Sequence, residues 1–593
     1  MPECPTRLPE PRAGGSVHRS TPRPLARLRA LVFTVAATLL LANAAQAQAP
    51  GQAAIATAHP LASEAGAQIL ADGGNAFDAA VAIGAALAVV EPYGSGMGGG
   101  GFFMLRQAGE AATYRFLDAR ERAPLAATSD LYLRDGKADP RLSLDGPLAA
   151  GIPGLPAAWV QLADDYGRLP LTASLAPAIR LAREGFPIDA VYRERAGWRL
   201  EALQRDAESA RLFLLDGAIP PLGHRLRQPE LAETLERLAD QGNAGFYAGP
   251  VAERLVAGVR EAGGIWTRED LARYETVLRE PLVFALPDER RLISAPLPSA
   301  GGVAIAQSLG LLERLGWRAA PPLQRVHLVV ESLRRAYRDR GLLGDPDFIA
   351  SPVDHLLSDR HLDQLAASVD PRRATPSATL PPAPRWWEGD HTTHFVVMDA
   401  DGNAVAATVS LNLMFGAAFT VPGTGVLLND QMDDFAADLD ASNAYGLTGS
   451  RANLIAPGKR PLSSMSPTFI EGPQGLASFG TPGGSRIPSM NLLSALAYLG
   501  GEPVPVWAAT RRYHHQYLPD VVQYEAGAFS ASERQALEAM GHRLEPLERA
   551  YGNQQIIYWD KRTGAVQAAS DPRGAGEALV IPASDLRSAP ASR

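Results

Sequence analysis

The chain has 593 residues, 46% hydrophobic and 20% charged, enough length and apolar content for several domains or one large layered unit, which excludes a disordered protein. Its net charge of −8, without basic tracts, argues against nucleic acid and anionic membrane as partners. The single cysteine is Cys4, so nothing downstream can form a disulfide, a thiol nucleophile or a Cys-ligated metal site.

Residues 1–47 differ in kind from the rest. They carry six Arg and two Glu, then an apolar run over about 31–42, then Ala45-Gln46-Ala47. That order reads as a secretory signal cleaved after Ala47, and the apolar run is too short to favour a membrane anchor. Removing it takes the net charge from −8 to −12, leaving an acidic, Cys-free protein suited to a periplasmic or secreted location.

Residues 62–72 form a predicted helix stopped by Gly73-Gly74, and Asn75 is placed to cap a second helix over 76–90. The second is apolar nearly all round, which predicts burial on every side. The Gly-rich run 94–101 leads into a strand at 102–105; no Lys-Ser/Thr follows, so it reads as tight packing rather than a phosphate loop. A further strand over 113–120 carries Arg120. Helical patterns follow at 156–166, 175–184, 229–240, 251–262 and 325–340, with a capping-box pattern at 267–270 and a short strand at 291–295. In 325–340, Val326, Val329, Val330, Leu333 and Tyr337 share one side and arginines take the other. Residues 366–391 are polar and Pro-rich and mark the strongest boundary in the chain.

Beyond that boundary, 394–399 and 404–411 read as a β-hairpin turned by Asp401-Gly402-Asn403, with Thr392 just ahead of it. A threonine at such a junction is ordinarily structural. Were it a chain terminus, its own α-amine, with an ordinary pKa of about 7.7–8.0, could serve as base for its hydroxyl, and no catalytic His would be required. The amides and carboxylates of 429–434 follow, then a long Gly- and Asn-rich loop over 436–459. His514-His515 lacks any accompanying ligand set, so ordinary packing is expected there.

Several ordered motifs resemble the γ-glutamyltranspeptidase (glutathione hydrolase) family of N-terminal-nucleophile hydrolases. They are Thr392-Thr-His-Phe, Asp401-Gly-Asn-Ala-Val, Asn412, Gln431-Met-Asp-Asp434, Arg460-Pro-Leu-Ser-Ser-Met-Ser-Pro467 and Pro482-Gly-Gly-Ser-Arg486, within a likeness spanning nearly the whole chain after residue 50. The resemblance implies an α+β fold, a four-layer αββα sandwich built from two autoprocessed subunits, 48–391 and 392–593. Cleavage at His391-Thr392 would free Thr392 as nucleophile, with the Ser410 hydroxyl beside it. Ser410 departs from the Thr that many members carry there. Gly483 and Gly484 would hold the oxyanion. Arg120, Ser463 and Ser464 would bind an α-carboxylate, and Asn412, Gln431 and Asp434 an α-ammonium. Tyr445 would gate a lid.

The implied substrates are glutathione and other γ-glutamyl compounds, with water, amino acids or dipeptides as acceptors and no metal or cofactor. Two rival readings stand beside this one. The first is a related acylase acting on β-lactam side chains or poly-γ-glutamate; the second, more remote, is a secreted peptide-binding protein without catalysis.

Overall fold

The computed structural model describes residues 49–380, 392–436 and 450–586. The expected signal segment, His391 and Tyr445 lie outside the described residues.

Two antiparallel sheets dominate. Their strands are, in chain order, β1 (Gln52–Thr57), β2 (Gly100–Gln107), β3 (Thr113–Ala119), β4 (Val277–Arg279), β5 (Leu282–Ala285), β6 (Arg291–Ser294), β7 (Thr393–Met398), β8 (Ala404–Ser410), β9 (Thr468–Glu471), β10 (Gly475–Gly480), β11 (Gln555–Asp560), β12 (Val566–Ser570) and β13 (Glu577–Pro582). The seven-stranded sheet runs β13-β1-β7-β8-β2-β3-β4 and the six-stranded sheet β12-β11-β10-β9-β6-β5. Both sheets therefore combine strands from either side of residue 391. The hairpin β7-β8 is inserted between β1 and β2, with Ala56 opposite Val396 and Phe102 opposite Thr408.

Period-2 patterning explains the packing. Alternate residues of both sheets, among them Phe102, Met104, Val396, Met398, Phe469, Ile557 and Trp559, form one apolar cluster. The other face of the larger sheet, with Phe103, Leu105, Phe395, Val397 and Val405, packs on helices that include Ala76–Val90. Leu292, Ile470, Phe479 and Ile556 of the smaller sheet do the same with Gly301–Arg314, Pro322–Asp339 and Ile487–Leu499. With both faces covered, β7 and β8 are buried at every residue, which is why they read as near-continuous apolar runs. The helix Ala76–Val90 is likewise buried throughout, and Asn75 caps it in a full capping box with Asp78.

The arginine side of Pro322–Asp339 is not a solvent face. Arg334 and Arg335 are buried and both bond Glu331, at 3.2 and 2.6 Å. Arg334 also reaches Ser377 at 2.5 Å and pairs with Asp520. Together these bonds pin residues 368–377, the first part of the predicted boundary segment, onto the 515–542 region, with Arg335 on the Ser368 carbonyl at 2.8 Å and His327 on that of Asp370 at 2.8 Å. Ring atoms of His327 and His542 and a Glu331 oxygen lie within 4.8 Å of one another, but the two rings bond each other at 2.8 Å and Glu331 is held by the arginines. Both nitrogens of His514 are occupied, by Ser489 at 2.9 Å and Gln516 at 2.7 Å, as packing requires.

Candidate active site

The hairpin fixes the centre. Asp399 accepts the N–H groups of Asp401 and Asn403 at 3.0 and 2.9 Å, closing a turn that Gly402 completes at φ +90°. Its other oxygen takes the Ala76 N–H at 3.0 Å, tying the turn to a helix start. At the opposite end of the hairpin, Thr393 pairs with Val409. That register brings Thr392 beside Ser410, the last residue of β8, with their hydroxyl oxygens 3.2 Å apart.

Ser410 is held from behind. Its Oγ accepts the Asn412 N–H at 2.9 Å, and Asn412 sits at φ +80°, a backbone position that favours Asn among residues with side chains. Asn412 Nδ2 donates to the Asp430 carbonyl and carboxylate at 3.0 and 3.2 Å, and Leu413 N–H to the same carboxylate at 2.9 Å. Burial pushes the Asp430 carboxyl well above the ordinary range, although Arg199 and these bonds oppose it. The glycine run packs directly against this turn. A Cβ on Gly99 would lie 2.1 Å from the Ser410 carbonyl oxygen, and one on Gly98 2.1 Å from that of Leu427. Gly99→Ala is therefore expected to destabilise the fold by about 1–3 kcal/mol, read as a lowered Tm. An unchanged Tm would show that the run has slack.

Arg120, at the end of β3, is fully buried. Its Nε donates to the Pro461 carbonyl at 3.1 Å, its Nη2 pairs with Asp434, and Nη1 lies 3.5 Å from Glu121. Gln431 Nε2 donates to the same Asp434 oxygen at 2.7 Å. Burial raises the Glu121 carboxyl to about 7 against the pull of Arg120, with Asp434 adding to the rise. Ser463 is fixed through its backbone, its N–H on the Pro298 carbonyl at 2.8 Å and its carbonyl under the Ala300 N–H at 2.9 Å. Ser464 Oγ accepts from Arg340 at 3.4 Å. Arg340 is buried, and burial lowers its pKa to about 10, with Asp434 opposing.

Gly483 and Gly484 follow β10 and Pro482, at φ +138° and +51°. Any residue with a Cβ would be strained at both. They lead through a short turn into the helix Ile487–Leu499.

One cleft of about 280 Å³ is lined by Thr392, Ser410, Arg120, Asn412, Gln431, Asp434, Ser463, Ser464 and Gly484. Gly483 lines an adjoining, larger cavity of about 810 Å³, and Thr392 borders both. All the candidate residues among those described are thus gathered around one threonine. Besides the Thr392 and Ser410 hydroxyls, the first cleft presents a guanidinium, a carboxylate, the hydroxyls of Ser463 and Ser464 and two amides, the donor and acceptor set for a zwitterion.

Two residues near this centre escaped the sequence reading. Asp430 lies inside the 429–434 cluster but has no signal separating it from its neighbours; its role as anchor of Asn412 depends on the turn. Arg340 belongs to the arginine side of a helix, where periodicity points to solvent. A buried Glu331 amid that side is the trace that could have exposed the error.

The family model for Gamma-glutamyltranspeptidase matches residues 62–581. A glutathione hydrolase proenzyme from Pseudomonas sp. (strain A14) is 40% identical over 531 residues, covering 87% of this chain and 91% of that protein. Among solved structures, a cephalosporin acylase from Bacillus halodurans superposes with a TM-score of 0.79 at 28% identity, covering 89% of this chain and 95% of the other. A γ-glutamyltranspeptidase chain from Helicobacter pylori gives 0.52 at 37% identity, covering 55% of this chain and 93% of its own.

Proposed function

The chain belongs to the γ-glutamyltranspeptidase family, and from that membership and the assembled cleft we propose how it acts on γ-glutamyl compounds. It is a γ-glutamyl hydrolase/transferase. The observation that supports the finer reading most is the position of Thr392, 3.2 Å from Ser410 and bordering both cavities.

In our reading the chain folds as a four-layer αββα sandwich after loss of 1–47 on export to the periplasm or exterior. Thr392 Oγ1 then attacks the carbonyl of His391; the C–N bond breaks, an ester forms, and water hydrolyses it. The products are a His391 carboxylate and a free Thr392 amine. Subunits 48–391 and 392–593 stay together as a heterodimer, since every large-sheet neighbour of the hairpin lies before the cut. Tyr445 serves a lid.

In turnover the freed amine accepts the Thr392 hydroxyl proton as Oγ1 attacks the γ-amide carbonyl. The N–H groups of Gly483 and Gly484 meet the oxyanion, each worth roughly 3–4 kcal/mol in comparable sites. The C–N bond breaks, the proton passes to the leaving amine, and a γ-glutamyl ester remains on Thr392. Water, an amino acid or a dipeptide amine then attacks the ester, the C–O bond breaks, and the hydroxyl regains its proton.

The donor's head group is zwitterionic. Its carboxylate faces Arg120, Ser463 and Ser464; its ammonium faces Asp434, Gln431 and Asn412. Substrates lacking either charge leave a buried partner unmatched, which is costly. The likeness to a cephalosporin acylase keeps the acylase reading as an alternative, and Asp434 speaks against it, because a glutaryl amide has no ammonium to offer. Hydrolysis of γ-glutamyl-p-nitroanilide far ahead of glutaryl-p-nitroanilide is the expected outcome, and the reverse preference would overturn the reading. Ser410→Ala is expected to lower kcat about tenfold, or ~1.4 kcal/mol, while Ser410→Thr keeps the hydroxyl and most of the rate. Equal losses in both variants would remove the hydroxyl from the mechanism.

A further inference from the structure

The larger cavity beside Thr392 is lined by Glu91, Glu194, Arg195, Gly483, Arg549 and Arg573, among others. It borders Thr392 but is not lined by Arg120 or Asp434, so it offers an attacking or leaving amine an approach apart from the head-group cleft. Its arginines are not equivalent. Arg573 is committed to Glu525, at 2.5 Å, and to Asp571. Arg195 lies 3.9 Å from Glu194 and stacks over Trp198, 4.3 Å from the ring centroid. Arg549, from the loop before β11, stacks over the same ring at 3.8 Å. It is exposed, and among the described residues it has no hydrogen bond or ion pair.

Stacking matters chemically. An indole face fixes a guanidinium by its plane and leaves its in-plane N–H donors available, in the fork geometry that fits a carboxylate. Two guanidiniums on one tryptophan, from Ala190–Trp198 and from the loop before β11, therefore form a preset anion bracket at the rim of the cavity. Glu194 offsets part of the charge of Arg195 and leaves Arg549 as the principal donor.

We propose that Arg549, braced on Trp198 beside Arg195, binds the free carboxylate of the acceptor, so that amino acids and short peptides are selected over uncharged amines. This rests on the γ-glutamyl transfer reading and adds a specificity-determining residue to it. The same bracket receives the carboxylate of a peptide leaving group when the donor carries one.

The test uses the matured enzyme with γ-glutamyl-p-nitroanilide as donor and two acceptors, glycylglycine and glycylglycinamide, which differ only in the carboxylate. Arg549→Gln is expected to lower kcat/KM for glycylglycine about fivefold relative to glycylglycinamide, since one exposed ion pair contributes up to about that factor. Arg549→Glu should lower that ratio further, and added salt should lower it in the unmodified enzyme. A ratio unchanged in both variants, or equal losses for both acceptors, overturns the proposal. Donor hydrolysis by the unmodified protein separates the two levels: if hydrolysis is absent the γ-glutamyl reading fails, and if it is present with an insensitive ratio only the carboxylate bracket fails.

Discussion

Thr392→Ala is expected to yield a single uncleaved chain with no measurable amidase activity. Both losses follow from one oxygen. Without Oγ1 no ester forms at residue 391, so the bond stays intact and the α-amine that would act as base remains an amide. Removing a nucleophile of this kind lowers kcat by about 10⁴–10⁶-fold. Folding should survive, because Thr392 lies ahead of β7 and its methyl adds little to a core built from Phe395, Val397, Val405 and Val409. Denaturing electrophoresis should show one band for the variant against two unequal bands for the unmodified protein, whose smaller chain should begin Thr392-Thr393-His394-Phe395. Thr392→Ser should split slowly and retain activity. Splitting or turnover in the alanine variant would transfer the nucleophile's role to another residue, and Ser410 at 3.2 Å would be the first to examine.

Local pattern carried the parts of this molecule whose environment is set by near neighbours in sequence. The helix predicted at 76–90 is Ala76–Val90, and the strand predicted at 404–411 is Ala404–Ser410. Asn75 and Thr267 cap as their spacing requires. The helix predicted at 175–184 starts earlier, at Leu171, so Pro177 lies inside it and removes one i→i−4 hydrogen bond. The motifs gathered around Thr392 were legible by resemblance alone, since nothing in the period of the chain places residue 120 beside residue 434. Legibility failed where charge is buried. Arg334, Arg335 and Arg340 look like solvent residues until the fold buries them, with Glu331 one turn away on the same helix and Asp520, Ser377 and Ser464 brought from other parts of the chain. A buried ion network has no sequence period, so only the fold reveals it.

Asp434→Asn should lower kcat/KM for γ-glutamyl-p-nitroanilide about a thousandfold, or ~4 kcal/mol, the scale for losing one partner of a buried charge pair. The amide preserves size and keeps an oxygen for Gln431, so the change is chiefly one of charge. The substrate ammonium then loses its anion while Arg120 loses its nearest one. A glutaryl amide never uses that anion, and its hydrolysis should fall much less, so the ratio of the two substrates is the decisive quantity. Glu121 makes the effect depend on pH. Its carboxyl stands at about 7 because burial, assisted by the Asp434 charge, favours the neutral acid. An acid raised in this way stabilises the fold below its unfolded value, and that contribution is lost as pH rises towards 7. Removing the Asp434 charge lets Glu121 ionise at lower pH and take Arg120 as partner across 3.5 Å. Relative to the unmodified protein, the variant's deficit in Tm should therefore be largest in acid, where Glu121 is neutral in both and Arg120 is left uncompensated in the variant, and should shrink towards neutrality. Equal losses on both substrates, together with a Tm difference flat from pH 5 to 8, would show that Asp434 serves packing rather than recognition of the ammonium.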